Sequence, residues 1–131
     1  MLRAKQLEII ESILTENLID KGASCSILID MAGNIIANLF NDKKNFDIYS
    51  LAALAAGNYG AVQAMASIVG GEDFSLLFHK GKNVNVHLKN VLDDYLLITI
   101  FTKELSLGFL RLAVANAIGD IKSCLSQRCI E

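Results

Sequence analysis

The segment SLAALAAGNYGAVQAMASIVGG, Ser50–Gly71, runs through the middle of the chain without one charged residue. The nearest charges are Asp47 before it and Glu72 after it. A helix on the surface of a globular protein normally keeps one charged face toward water. The segment therefore predicts a helix over about 49–69, ended by a glycine pair, that packs on a sheet of its own chain and against a second surface.

Helical periodicity divides this segment into two faces. One face carries the larger side chains, and we expect it to lie on the sheet: Leu51, Leu54, Val62, Met65 and Val69, with Asn58 as its polar member. The opposite face carries small side chains, here called the small-residue ridge: Ala53, Ala56, Gly57, Gly60, Ala64 and Ser67. Tyr49 and Gln63 lie near this ridge.

The two glycines of the ridge indicate a close contact. Gly57 and Gly60 each destabilise a helix interior by about 1 kcal/mol relative to Ala. A ridge of small side chains lets another backbone approach closely, and the packing energy of this contact would offset the loss of helix stability. We expect a second protein chain there. The alternatives are a terminal helix of the same domain and a membrane span, which the glycines and polar residues of the segment disfavour.

Composition narrows the class of protein. The chain has 131 residues, enough for one domain over 1–131, with 53% hydrophobic and 20% charged residues. The net charge is −2 and the basic residues form no cluster beyond Lys43-Lys44, which argues against a nucleic-acid partner. The first residues form an amphipathic pattern with dispersed charges rather than a signal peptide. These features predict a cytoplasmic protein.

Periodicity elsewhere predicts the remaining elements. Apolar residues at helical spacing predict a first helix over about 2–19 and a last helix over about 106–126, with Ser106 as the N-cap of the latter. Five short runs rich in branched residues predict strands: 23–30, 35–40, 73–81, 82–90 and 94–103. The order αββαβββα predicts an α+β fold with an antiparallel sheet.

The fourth predicted strand alternates between apolar and polar residues. The pattern predicts that Val84, Val86 and Leu88 point inward and that Asn83, Asn85, His87 and Lys89 point outward. His79 and His87 are then interpreted as surface histidines near a strand end. Two histidines without further ligands nearby do not make a metal site.

The sequence lacks the motifs of the common catalytic sites. It contains no GxxxxGK[ST] phosphate loop, no HExxH, no GxSxG and no zinc-type spacing of Cys and His. Cys25 lies in a predicted strand as a small core residue, and Cys124 and Cys129 are five residues apart near the C-terminus. No nucleophile with an adjacent base is found. We therefore expect no intrinsic enzymatic activity, no cofactor and no metal.

Three stretches resemble the Roadblock/dynein light chain domain family, and especially its bacterial MglB type. They are ILIDMAGNIIANL (Ile27–Leu39), LAALAAGNYGAVQAMASIVGGEDFSLLFHKGKNVNVHL (Leu51–Leu88) and YLLITIFTKELSLGFLRLAV (Tyr95–Val114). The resemblance covers about residues 5–120. It implies a profilin-like fold, with a five-stranded antiparallel sheet, the central helix on one face and the two terminal helices on the other.

The resemblance also implies an assembly and a partner. Members of the family form homodimers by pairing the third strand and the central helix with those of a second copy. The implied edge strand here is Phe74, Ser75, Leu76, Leu77, Phe78 and His79. The implied dimer or GTPase interface, which the sequence does not divide between the two, is Tyr49, Ala53, Ala56, Gly57, Gly60, Gln63, Ala64 and Ser67.

Family dimers act on Ras-like small GTPases, some as scaffolds. The MglB type stimulates GTP hydrolysis by reshaping the active site of the GTPase, without inserting an arginine finger. Some MglB-type relatives carry a longer C-terminal tail than the SQRCIE of this chain, so a scaffold role stays open beside activation. The implied function is a non-catalytic homodimeric regulator or scaffold of a small GTPase. The alternative is a small-ligand sensor with a pocket between helix and sheet, for which Asn58 on an apolar face is the available signal.

Overall fold

The computed structural model describes residues 3–41, 47–70 and 76–126. It contains three α-helices, of which the first continues into a π-helical turn over Thr15–Ile19: α1 (Ala4–Leu14), α2 (Ile48–Ile68) and α3 (Leu107–Ser126). It contains five strands: β1 (Cys25–Asp30), β2 (Ile35–Phe40), β3 (Leu76–Lys80), β4 (Val84–Val91) and β5 (Tyr95–Thr102). The helices and strands follow one another in the predicted order. None of the described helices combines the length and the apolar character needed to span a membrane.

The strands form one antiparallel sheet in the order β2-β1-β5-β4-β3. The predicted α+β class with an antiparallel sheet is confirmed. β5 lies at the centre and is apolar on both faces because helices cover both faces. β2 and β3 are the two edge strands, so the outer backbone groups of β3 face away from its one neighbour, β4.

Two hydrophobic cores lie on opposite faces of the sheet. α1 and α3 cover one face, where Leu28, Leu97 and Phe101 share a core with the apolar residues that repeat at helical spacing along α3: Leu110, Val114, Ala117, Ile118, Ile121 and Leu125. α2 covers the other face, where Ile27, Ile98 and Cys25 are fully buried. The arrangement of one central helix opposite two terminal helices, which the resemblance implied, is therefore observed, as is the core position of Cys25.

Local hydrogen bonds fix the ends of the helices. The backbone N–H of Arg3 donates to Oε1 of Gln6 at 2.9 Å at the start of α1. The Asp47 carboxylate accepts from the N–H and the hydroxyl of Ser50 at 3.1 and 2.7 Å, which caps α2 and holds the pKa of Asp47 below its ordinary value. The Ser106 hydroxyl accepts from the N–H of Phe109 at 3.1 Å, which confirms Ser106 as the N-cap of α3.

The turn between β1 and β2 is built on Asp30 and docks on α2. The Asp30 carboxylate accepts from the N–H of Ala32 and from the backbone and side-chain nitrogens of Asn34, all within 3.0 Å. Burial alone would raise the pKa of Asp30, but these hydrogen bonds hold it below its ordinary value. Gly33 has φ +92, and a Cβ there would lie 3.2 Å from Cα of Ala53. This glycine thus lets the turn lie against α2.

Candidate interaction surface on the middle helix

The rotation of α2 on the sheet differs from the predicted one. The side chains that it buries are small, apart from one tyrosine: Ala52, Ala55, Tyr59 and Ala66. Leu54, Met65 and Val69, which periodicity assigned to the sheet face, are 71%, 57% and 74% exposed. Asn58 is exposed too, while Leu51 and Val62 are half-buried. The predicted sheet face is therefore wrong.

Packing explains this rotation. Three alanines allow the helix backbone to lie close to the sheet, and the Tyr59 ring supplies the large apolar contact in the same core as Ile27, Ile98 and Ile100. Because this helix has no charged face, its sequence does not show which side faces the sheet. The signal that periodicity missed is the spacing of Ala52, Ala55, Tyr59 and Ala66, which lie on one side of the helix.

An apolar groove runs along α2 on the side of β4 and the edge strand β3. Its volume is about 240 Å³. It is called here the helix groove and is lined by Leu51, Leu54, Ala55 and Asn58 of α2 and by Val86 and Leu88 of β4. Leu54 stands at its rim and is largely exposed, as is Met65 further along the helix. The groove therefore presents an apolar surface near the outer edge of β3, with which no other described strand pairs.

The small-residue ridge lies on a different side of α2. Ala53, Gly57, Gly60, Ala64 and Ser67 are exposed. The nearby Tyr49 is exposed as well, whereas Ala56 and Gln63 are half-buried. Ala53 meets Gly33 in the β1–β2 turn, so this end of the ridge lies toward the sheet edge opposite β3.

The two ridge glycines are not covered by the described part of their own chain. A Cβ added at Gly57 or Gly60 would have no heavy atom within 4 Å among the described residues. Within that part of the chain, no terminal helix covers them, because α1 and α3 lie on the other face of the sheet. For these two positions, the alternative that a terminal helix of the same domain covers the ridge is therefore wrong.

The predicted edge strand is described in part. β3 begins at Leu76 and occupies an edge of the sheet, where Leu77 pairs with Leu88 and His79 with Val86. Phe74 and Ser75 lie outside the described residues. The predicted pairing of this edge with a second chain stays a prediction.

The interpretation of His87 as a surface histidine is wrong. His87 is 2% exposed and Asn85 is also buried, while Val84, expected to point inward, is exposed. The reason is that α3 packs on this end of the sheet and covers the face of β4 that carries Asn85 and His87. Within the described residues, no group of His, Cys, Asp and Glu is suited to hold a metal ion.

Known proteins share this architecture along nearly its whole length. MglB of Myxococcus xanthus is 26% identical, with a TM-score of 0.85 over 97% of this chain and 95% of that one. The gliding protein MglB of Thermus thermophilus is 26% identical, with a TM-score of 0.88 over 97% and 96%. A structure described as MglB with a tetrameric arrangement is 25% identical, with a TM-score of 0.89 over 98% and 96%.

More distant structures share the fold alone. Profilin II of Acanthamoeba castellanii superposes with a TM-score of 0.63 at 15% identity over 86% of this chain and 96% of that one. No curated protein sequence matches the chain significantly. The model of the Roadblock/LC7 domain matches residues 10–101, well over half of the chain, and the chain therefore belongs to the Roadblock/LC7 domain family.

Proposed function

We propose that this protein is a non-catalytic homodimer that regulates or scaffolds a Ras-like small GTPase in the cytoplasm. The observation that carries the proposal is the helix groove beside the free edge of β3, in a chain similar to MglB over almost its full length. Stimulation of GTP hydrolysis, as in the MglB type, is the activity that we propose first. A scaffold role is the alternative within the same function.

The geometry supports a division of the interface that the sequence left open. A second copy that continues the sheet at β3 places its own α2 beside the first, over Val86 and Leu88 and against Leu54. The helix groove is therefore assigned to the dimer. This contact would also cover Leu54, which is 71% exposed in the single chain.

The small-residue ridge is assigned to the GTPase. It lies away from the groove, with Ala53 toward the β1–β2 turn, and its residues have little apolar area to shield from water in the free dimer. Such a surface allows the close approach of a partner that binds transiently. The contacts proposed for it are Tyr49, Ala53, Ala56, Gly57, Gly60, Gln63, Ala64 and Ser67.

The proposal is tested with Ras-like GTPases purified from the same organism, each loaded with GDP or with a non-hydrolysable GTP analogue. We expect the protein to bind one nucleotide state preferentially and to change the rate of GTP hydrolysis. Equal binding of both states together with unchanged hydrolysis would show that it is not a regulator. Binding without a change in hydrolysis would favour the scaffold.

The ridge assignment has its own variant and control. Ala64→Arg places a bulky charge on the exposed ridge and should weaken the GTPase complex at least tenfold while the dimer persists. Asn116→Arg places the same charge on the exposed side of α3 and should leave the complex unchanged. Equal effects of both variants would contradict the assignment.

A further inference from the structure

A second cavity lies on the opposite side of the sheet from the helix groove, between β4 and α3. Its volume is about 190 Å³. It is called here the α3 cavity and is lined by His87 and Lys89 of β4 and by Arg111, Val114, Ala115 and Ile118 of α3. None of these residues belongs to the surface proposed for the dimer or for the GTPase.

His87 is buried in this cavity without a hydrogen-bond partner among the described residues. Neither Nδ1 nor Nε2 has one, and the residue is 2% exposed. Its register neighbours are Thr99 on β5 and Phe78 on β3, neither of which carries a carboxylate. A buried polar group without a hydrogen-bond partner destabilises the fold, so a ligand that hydrogen-bonds to the imidazole would stabilise it.

Among the described residues, the two charged groups that act on His87 are both positive. Arg111 faces it from α3 and Lys89 from its own strand, while the residues that line the α3 cavity include no acid. Burial first, and then the charges of Arg111 and Lys89, lower the pKa of His87 to about 4. At pH 7 the imidazole is neutral and offers one N–H donor beside two cations.

The rest of the lining is apolar. Val114, Ala115 and Ile118 supply aliphatic walls, so a bare phosphate would leave part of the cavity without suitable contacts. A ligand with a carboxylate at one end and a short aliphatic group at the other matches both the cationic side and the aliphatic walls of the cavity. Arg pairs with carboxylates through a planar fork of donors, and aliphatic walls bind an alkyl tail by excluding water.

We propose that the α3 cavity binds a small organic carboxylate, whose carboxylate group is held by Arg111, Lys89 and His87 and whose aliphatic part contacts Val114, Ala115 and Ile118. This site does not depend on the proposed action on a GTPase. A bound anion favours the protonated imidazole. Binding therefore raises the pKa of His87 and takes up a proton, so affinity for the ionised carboxylate increases as the pH falls from 7 to 6, where the ligand itself is still ionised.

The experiment is an NMR titration of the full chain with butanoate at pH 7 and at pH 6, two values at which butanoate is ionised. The His87 ring resonances are identified by their loss in His87→Gln. We expect saturable shifts of these resonances, tighter binding at pH 6 than at pH 7 and a higher pKa of His87 in the presence of butanoate. Arg111→Gln should weaken binding about tenfold or more, the usual scale for a hydrogen bond to a charged group.

The control removes the same charge from the same helix. Lys122→Gln changes an exposed residue of α3 outside the cavity lining and should leave the affinity for butanoate unchanged. Circular dichroism of each variant shows whether it folds. The proposal is overturned if butanoate gives no saturable shift, if Lys122→Gln weakens binding as much as Arg111→Gln, or if inorganic phosphate binds as tightly as butanoate.

Discussion

At the scale of single residues, a polar row crosses the sheet beneath α1 and α3. Ser26, Thr99 and His87 occupy successive register positions on β1, β5 and β4, and all three are buried. Their polar side-chain atoms have no hydrogen-bond partner within the part of the chain that the structure describes. Each such atom loses its hydration on folding without a protein partner in return, so the row lowers the stability of this core.

Thr99→Val tests this cost. Valine keeps the branched shape and removes only the unpartnered hydroxyl, so we expect the free energy of unfolding to rise by about 1 kcal/mol. Chemical denaturation at a fixed protein concentration measures it, with Thr102→Val, in a half-buried position on the same strand, as the comparison. A loss of stability in Thr99→Val would show that the hydroxyl has a partner in solution.

The lowered pKa of His87 makes stability depend on pH. Its pKa is about 4 in the folded chain and near 6.5 when unfolded, so below pH 6.5 the unfolded chain binds the proton more readily. Stability from this group is therefore full above pH 6.5 and falls as the pH drops toward 4, by at most about 1.4 kcal/mol per pH unit. Denaturation across this window should show a flatter profile for His87→Gln, and identical profiles would contradict the burial of a neutral imidazole.

At the scale of elements, the glycines of α2 and of the turn beside it have opposite roles. Gly33 adopts φ +92 and lies against the backbone of Ala53, whereas Gly57 faces open space from within a helix. The first is required by conformation and by close approach within the chain. For the second, the described residues supply no contact that would require a glycine, and this supports a partner-binding surface there.

The same substitution at these two positions should therefore change stability in opposite directions. Gly33→Ala should lower the free energy of unfolding by about 1–3 kcal/mol, because a Cβ is strained at positive φ and would crowd Ala53. Gly57→Ala should raise it by up to about 1 kcal/mol, since alanine favours a helix. Thermal denaturation compares the pair. A destabilised Gly57→Ala would show that a chain already packs on the ridge in the free protein.

At the scale of the whole molecule, the outer edge of β3, with which no described strand pairs, lies near the helix groove. The sheet ends at β3, and Val86 and Leu88 on the neighbouring β4 line the groove beneath the exposed Leu54. If two copies are related by a two-fold axis at β3, one interface both pairs the two β3 strands and covers the two grooves. This arrangement is the physical basis for the proposed homodimer.

Leu54→Glu tests the dimer. In a two-fold contact each substitution occurs twice, so two buried charges should weaken dimerisation by at least about 100-fold while the monomer still folds. Sedimentation or light scattering over a range of concentrations measures the mass, and circular dichroism measures folding. Leu112→Glu is the matched control, because Leu112 is 62% exposed on α3, on the opposite face of the sheet. A wild-type mass of one copy, or an unaffected Leu54→Glu dimer, would contradict the proposal.

The sequence by itself determined the order of the helices and strands, the antiparallel α+β class and the buried stripe of α3. Each of these follows from spacing along the chain: Ser106 caps a helix whose apolar residues repeat at its own period. The same spacing, with the resemblance of three stretches, was sufficient to indicate the Roadblock/LC7 family.

Only the tertiary structure decided which side of α2 meets the sheet and which polar residues are buried. In α2 every side is free of charge, so close packing of Ala52, Ala55 and Tyr59 set the rotation and left Leu54 exposed. In β4 the alternation of residue types marked His87 as outward, but burial depends on α3, which comes later in the sequence and covers that face. Periodicity shows which side of a single helix or strand is more polar. The helix groove and the α3 cavity form only where two elements pack together, so periodicity does not reveal them.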